Sequence, residues 1–245
     1  EAIPFTQFKV VESKKEDIVV EKYAKSLTLE SVAKWGATVA IEKTDDAFMV
    51  ELQNKVLKDF YTFLKTGTLK GTQKKWQKAL AIAKGAVLNK FAGMNRNVTE
   101  VVGFANVMDF YDWLGDKEIT VQTMFGLQYI KDFFGFSTLF LLPDAYIPAK
   151  TVIATPVENI DLYYIDPGDS DFKKLGLDYT TSGETNLIGF HAGGNYTNAT
   201  GETYAIMGMK LWAEYLDGVC VVTVGTTETI PEVSSAVSEV SSNGK

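Results

Sequence analysis

The chain has one histidine, His191, and one cysteine, Cys220, so a nucleophile–base pair would have to be built on them. A hydrolytic triad needs an imidazole in hydrogen-bonding reach of a serine or thiol, with a third group orienting the ring. Cys220 lies inside the apolar run Val219–Val224, and no G-x-S-x-G turn occurs. A thiol in such a run packs as a small hydrophobe. His191 is expected as an ordinary strand or turn residue. A lone cysteine also excludes an internal disulfide.

Carboxylates could hold a metal or move protons. The densest cluster is Asp166-Pro-Gly-Asp169-Ser-Asp171, which lacks the glycine and terminal glutamate positions of a calcium-binding EF-hand loop. It fits a solvated turn better. Asp109, Asp112 and Asp116 fall on or near one short helix. Acid–base work by paired carboxylates needs an apolar pocket that pushes their pKa values apart. At a helix end they fit surface charge. Phe190-His-Ala-Gly-Gly194 resembles a phosphate loop only in its glycines; no Lys-Ser/Thr ending and no helix pattern follow it. Gly193 and Gly194 are expected in a tight turn with positive φ. The sequence therefore presents no active site, no metal site and no cofactor site, and a structural, non-enzymatic role is expected.

Charge carries more information than any motif. The net charge is −7, but it is unevenly spread. Residues 1–59 hold nine basic and eleven acidic groups, residues 60–99 eight basic and none acidic, and residues 100–245 seven basic and twenty acidic. Complementary patches of this kind steer and register association between copies. Lys70, Lys74, Lys75 and Lys78 lie in the basic stretch, which reads either as a surface that meets acidic groups of a neighbouring copy or as a solvated lysine-rich helix face. Base-specific nucleic-acid reading is not expected, because Arg96 is the only arginine.

A composition of 46% hydrophobic and 22% charged residues over 245 positions suits one large domain or two subdomains. No apolar run approaches the ~18 residues that cross a bilayer. The sequons at Asn97, Asn195 and Asn198 count as chance matches. Residues 1–17 mix Lys and Glu without periodicity and suggest an arm. Ile18–Val20 and Thr38–Ile41 are β-prone, which suggests a long hairpin-like loop over 18–43. Thr44, followed by Asp45 and Asp46, suits the start of a helix. Phe48, Leu52, Val56, Phe60 and Phe63 continue it at helical spacing to a stop at Gly67. A second helix is expected from about Thr72 to Gly93, with Trp76, Leu80, Ala83, Val87 and Phe91 on one face.

From Val98 the pattern shortens. Val101–Ala105 reads as a buried strand, and Asn106 as the cap of a short helix closed by Gly115. Strands are expected at Ile119–Met124, Thr138–Leu142, Thr151–Ala154 and Asn159–Ile165. Residues 166–185 suggest a surface loop with a helical turn at Phe172–Leu175. Leu187–His191 and Tyr204–Glu214 suggest strands joined by a turn at Gly193–Gly201, with a last strand at Tyr215–Val224. The serine-rich residues 226–245 suggest a flexible tail.

Two of these segments carry a resemblance. Val101-Val-Gly-Phe-Ala-Asn106-Val-Met-Asp109-Phe-Tyr-Asp-Trp-Leu114 resembles the strand and Asn-led helix of tailed-bacteriophage major capsid proteins. Ile147–Asp166, with its Pro156-Val-Glu-Asn159-Ile core, is similar to their strand, proline turn and aromatic strand. Glu202–Val224 resembles their closing strands. The resemblance implies an α+β capsid fold of the Hong-Kong-ninety-seven type, shared with encapsulins. It implies an N-arm (1–17), an extension loop (18–43) and a peripheral domain with a long spine helix (44–97). An axial domain (98–200), closing strands (201–225) and the tail (226–245) complete it.

By the same resemblance the chain builds an icosahedral, DNA-filled head from hexamers and pentamers of itself. Portal, scaffold, maturation-protease and decoration proteins are the implied partners, with non-specific contact to the packaged DNA and no membrane. The start at Glu1 fits removal of a leading segment by that protease. Contacts between copies are expected at Lys34, Trp35, Lys70, Lys74, Lys75, Lys78, Asp109, Asp112 and Asp116. Some relatives join subunits through a Lys–Asn bond; Lys34 has no matching partner motif, so no cross-link is expected. An encapsulin shell, or a tail or head-completion protein, is the alternative.

Overall fold

A computed structural model describes residues 17–115, 119–124, 127–181 and 186–231. In chain order, β1 (Glu21–Thr28) leads into α1 (Leu29–Trp35) and α2 (Ala37–Leu64). Then come β2 (Leu69–Gln73), α3 (Trp76–Gly93), β3 (Val101–Asn106) and α4 (Val107–Leu114). Four strands follow: β4 (Gln122–Met124), β5 (Leu127–Phe133), β6 (Phe136–Leu142) and β7 (Thr151–Pro156). A 3₁₀ turn at Val157–Asn159 precedes β8 (Ile160–Tyr164), and α5 (Ser170–Lys174) comes next. The chain closes with β9 (Thr180–Thr181), β10 (Ile188–Asn195), β11 (Thr200–Met207), β12 (Met209–Ala213) and β13 (Cys220–Val224).

The chain divides into two compact units, Glu1–Ala40 with Tyr163–Lys210, and Ile41–Leu162 with Leu211–Lys245. The boundaries fall inside the segments 18–43, 98–200 and 201–225 expected from sequence, and the segment 44–97 lies whole within the second unit.

The larger unit is organised on a seven-stranded mixed sheet in the order β2-β13-β7-β3-β6-β5-β4. β3 runs parallel to β6, and β2 parallel to β13; the other pairs are antiparallel. Side chains alternate between faces along a strand. On β7, Val152 and Ala154 join one core while Ile153 joins the other. β3 and β13 divide the same way: Ala105, Cys220 and Val222 on one side, Phe104 and Val221 on the other. Strands buried on both faces read as unbroken apolar runs. This explains why Val101–Ala105 and Thr151–Ala154 were legible.

One face is covered by α3 and α4, through Leu80, Ala83, Val87 and Phe110. The other is covered by the end of α2, through Tyr61 and Leu64, with Tyr61 set edge-on to Phe104. Leu64, Leu80 and Leu139 are fully buried, each contributing about 1.5–3 kcal/mol of apolar transfer.

The smaller unit holds the antiparallel sheet β1-β11-β10-β9. β10 and β11 form a long hairpin in register from Ile188↔Met207 to Asn195↔Thr200, and β1 adds along β11.

Several expectations are corrected. Residues 18–43 are not a hairpin loop: one strand is followed by α1 and the start of α2. Thr28 caps α1 by accepting from the Ser31 N–H at 3.5 Å, with Glu30 in the first turn and Lys34 in the last. Gly36, at φ +79°, turns the chain between the helices. The β-branched Thr38, Val39 and Ile41 sit in α2, which starts seven residues before Thr44.

Further along, Gly193 and Gly194 belong to β10, and neither has positive φ. The turn is formed by 196–199, with Ala199 at φ +50°. The break in the Tyr204–Glu214 run falls at Gly208, between β11 and β12. β2 and β5 were missed, because LKGTQ carries a lysine and a glycine and LQYIKDF carries two charged residues, which break the apolar pattern.

Candidate assembly surfaces

The residues with chemical potential are dispersed. His191 lies exposed on β10, with Nδ1 3.0 Å from the Asp178 carbonyl oxygen. Cys220 is fully buried on β13, and desolvation pushes its thiol up to about 12. A thiol held protonated at neutral pH is a poor nucleophile. Asp166 accepts from the Gly168 N–H and the Asn186 amide. Asp169 caps α5, and Asp171 pairs with Lys174 at 2.7 Å. Each carboxylate is thus engaged locally, and among the described residues no three His, Cys, Asp or Glu side chains are grouped to hold a metal.

The expected contact residues fall in three places. Lys34 and Trp35 end α1, where the Lys34 ammonium lies 5.2 Å from the Trp35 ring centre. Trp35 is 56% exposed. Lys70 is on β2, and Lys74, Lys75 and Lys78 surround the start of α3; all four are exposed. Asp109 and Asp112 are on α4, and Asp116 lies outside the described residues.

The structure gives two of these residues partners inside their own unit. Asp109 accepts from the Lys150 backbone N–H at 2.5 Å, and so fastens the turn that enters β7. Lys150 there has φ +63°. Desolvation raises the Asp109 pKa, against the lowering effect of that hydrogen bond and the Lys150 charge. Asp112 stays exposed. Lys78 pairs with Glu228 at 3.0 Å.

Other bases of the 60–99 stretch are also met by acids from late in the chain. Lys90, nearly buried, pairs with Asp217. Arg96 pairs with Glu214 at 3.0 Å and lies over the Tyr215 ring at 4.8 Å. Lys84 donates to the Gly135 carbonyl. Much of the basic block therefore closes the larger unit on itself. Lys70, Lys74 and Lys75 remain on the surface.

Two buried asparagines do more than sequence reasoning foresaw. Asn106 caps α4 by accepting from the Met108 N–H at 2.8 Å. Its amide also donates to Asp144 at 2.6 Å and to the Ile147 carbonyl at 2.9 Å. Asn159 accepts from the Tyr215 N–H at 2.9 Å and donates to the Tyr215 carbonyl at 2.9 Å. A cap is visible in sequence; a partner 38 or 56 residues away is not. The segment 226–231, expected as tail, lies against β2 and α3 through Thr229 and Glu228.

Exposed apolar groups are concentrated at Leu162, Tyr163 and Tyr164 on β8. No described helix is long and apolar enough to cross a membrane.

Comparison with known proteins defines the fold. No family model matches the chain, and no curated protein matches it in sequence. Solved structures do. A structure from Mycobacterium phage Che8 aligns over 89% of this chain and 76% of its own, at 9% identity and a TM-score of 0.54. The capsid asymmetric unit of cyanophage A-1(L) aligns over 85% and 77%, at 11% identity and 0.52. The holo-SrpI encapsulin complex of Synechococcus elongatus aligns over 86% and 76%, at 10% identity and 0.52. The chain has the α+β fold of phage capsid and encapsulin shells.

Proposed function

We propose that this chain is a non-enzymatic shell subunit, the major capsid protein of a tailed phage. Copies of it would assemble as hexamers and pentamers into an icosahedral head around double-stranded DNA. The observation that carries the reading is the likeness of fold over 85% of the chain to the cyanophage capsid subunit. The burial of Cys220 and the local engagement of His191 and of Asp166, Asp169 and Asp171 among the described residues support it. In this reading α2 carries the spine helix of the peripheral domain, and β3 to β7 with α4 belong to the axial domain. Lys34, Trp35, Lys70, Lys74, Lys75 and Asp112 are surface groups at which one copy meets the next. Ring assemblies use such heterologous contacts, in which one surface meets a different one on the neighbour. Portal, scaffold, maturation-protease and decoration proteins would complete the particle, which forms in the bacterial cytoplasm.

The likeness to the Synechococcus encapsulin complex favours a second reading, a protein compartment of the same fold. Electron microscopy of the purified chain tests both. Closed shells are expected; tubes, open rings or monomers alone would overturn the shell reading. Nuclease-protected DNA in native particles supports the phage head, and co-purifying protein cargo supports the compartment.

A further inference from the structure

We propose that residues 226–231 form a salt-sensitive strap that closes the outer edge of β2 and keeps it from pairing with a second copy of this chain. β2 ends the seven-stranded sheet, with β13 along its inner side. Such an edge offers a row of N–H and C=O groups to any extended chain. After β13 the backbone turns back and sets Thr229 opposite Thr72 in one antiparallel bridge. The Thr72 N–H donates to the Thr229 carbonyl at 3.1 Å, and the Thr229 N–H donates to the Thr72 carbonyl at 2.8 Å. The Thr229 hydroxyl also accepts from the Thr72 N–H at 2.9 Å, and the Gln73 amide donates to the Thr229 carbonyl at 2.9 Å.

The register ends the pairing there. Continued antiparallel pairing would set Pro231 opposite Lys70. Proline has no N–H to give the Lys70 carbonyl. Its ring is buried over Gly71 instead, where a Cβ would lie 2.7 Å from the proline Cδ. At the other end Glu228 pairs with Lys78, beside Lys74, at the start of α3. The residue before that helix, Lys75, supplies no side-chain cap. A carboxylate is favourable at such a helix start.

The strap is held closely but weakly. It is one bridge long, and its ion pair is exposed on both sides, at 49% and 39%. Exposed pairs are worth little and are screened by salt. Gln73, 1% exposed, keeps its Oε1 without a hydrogen bond among the described residues.

A lifted strap leaves an edge flanked by the exposed Lys70, Lys74 and Lys75. A chain of net charge −7 with its acids concentrated after residue 100 is attracted to that edge. The choice of a second copy as occupant rests on the shell reading; the strap itself does not.

Hydrogen exchange at the Thr72 and Thr229 amides, measured on the dissociated full chain at low and high salt, tests the strap. Glu228→Lys is expected to speed both about fivefold at low salt, on the order of one lost exposed ion pair. The double variant Lys78→Glu with Glu228→Lys should recover most of the protection. Thr229→Pro, which removes the bridging N–H, should speed Thr72 exchange and raise self-association in light scattering. Unchanged exchange in Glu228→Lys, no recovery in the swap, or unchanged association in Thr229→Pro would each overturn the proposal. Failure to form shells with strap exchange as expected would count against the shell reading alone.

Discussion

The side-chain amide of Asn159 pairs with both backbone groups of Tyr215, accepting its N–H and donating to its carbonyl, each at 2.9 Å. Asn159 is 2% exposed. The amide acts as one rung of a β-ladder, joining the turn after β7 to the turn before β13. Glu214 adds a third link by donating its N–H to the Asn159 carbonyl at 3.1 Å. Asn159→Leu strands both Tyr215 groups. An orphaned buried group costs about 1–3 kcal/mol, so a loss of ~2–4 kcal/mol is expected in urea unfolding. Asn159→Asp keeps the acceptor and should lose less.

A second asparagine gives a prediction with a pH signature. Asn106 places its amide nitrogen 2.6 Å from an Asp144 oxygen. Asn106→Asp would set two carboxylates together where one donated to the other. Their repulsion raises the folded-state pKa of the pair above its unfolded value. The variant should be destabilised at neutral pH and recover as pH falls through the carboxylate range. Unfolding midpoints measured from pH 7 to about 4 check this; a pH-independent loss would point to the cap alone.

These two asparagines mark what sequence could and could not show. The cap role of Asn106 was legible because capping is local: the residue type and the apolar run after it suffice. β3, β7 and the hydrophobic faces of α2 and α3 were legible for the same reason, since periodicity is a local signal. The ladder role of Asn159 depends on Tyr215, 56 residues on. Long-range pairing leaves no mark in either segment. β1 was missed because its partner β11 lies near residue 204, and its outward Lys and Glu side chains hide the alternation. Residues 226–231 looked like tail because their order comes from distant partners, β2 and Lys78, which leave no local pattern.

Asp109 carries its pH dependence in the stability of the larger unit. Desolvation raises its pKa in the folded state. Its contribution is therefore fully present below the unfolded pKa and falls away as pH rises through the folded value. Asp109→Asn retains an acceptor for the Lys150 N–H and removes the desolvated charge. It should flatten the pH profile of unfolding above the ordinary carboxylate range and be neutral or stabilising at pH 7. Asp109→Ala removes the acceptor and should cost ~1–3 kcal/mol. Equal losses in both variants would contradict the assigned hydrogen bond.

Cys220 reports on the integrity of the sheet. Its thiol is fully buried, with a pKa pushed up to about 12. Alkylating reagents attack the thiolate, so labelling should be negligible in the folded chain at pH 7 and rapid in denaturant. Cys220→Ser buries a hydroxyl where the thiol had apolar neighbours and should cost ~1–3 kcal/mol. Cys220→Ala should cost less than an orphaned hydroxyl. Fast labelling of the native protein would show that β13 opens.

The lysines of β2 and α3 separate folding from association. Lys78 and Lys90 have acids of their own unit to satisfy, while Lys70 and Lys75 stand exposed on the surface. Reversing an exposed charge with no local partner changes stability by less than about 0.5 kcal/mol. It inverts the sign of the patch that an approaching copy meets. Lys70→Glu with Lys75→Glu should therefore unfold at the wild-type urea midpoint, yet fail to assemble or assemble only at a shifted salt concentration. Light scattering and electron microscopy across a salt series read the second effect. Lys78→Glu should lower the midpoint slightly as well, because it repels Glu228. Normal shells from the double variant at every salt concentration would remove these lysines from the contact between copies, and with them the charge asymmetry as a guide to assembly.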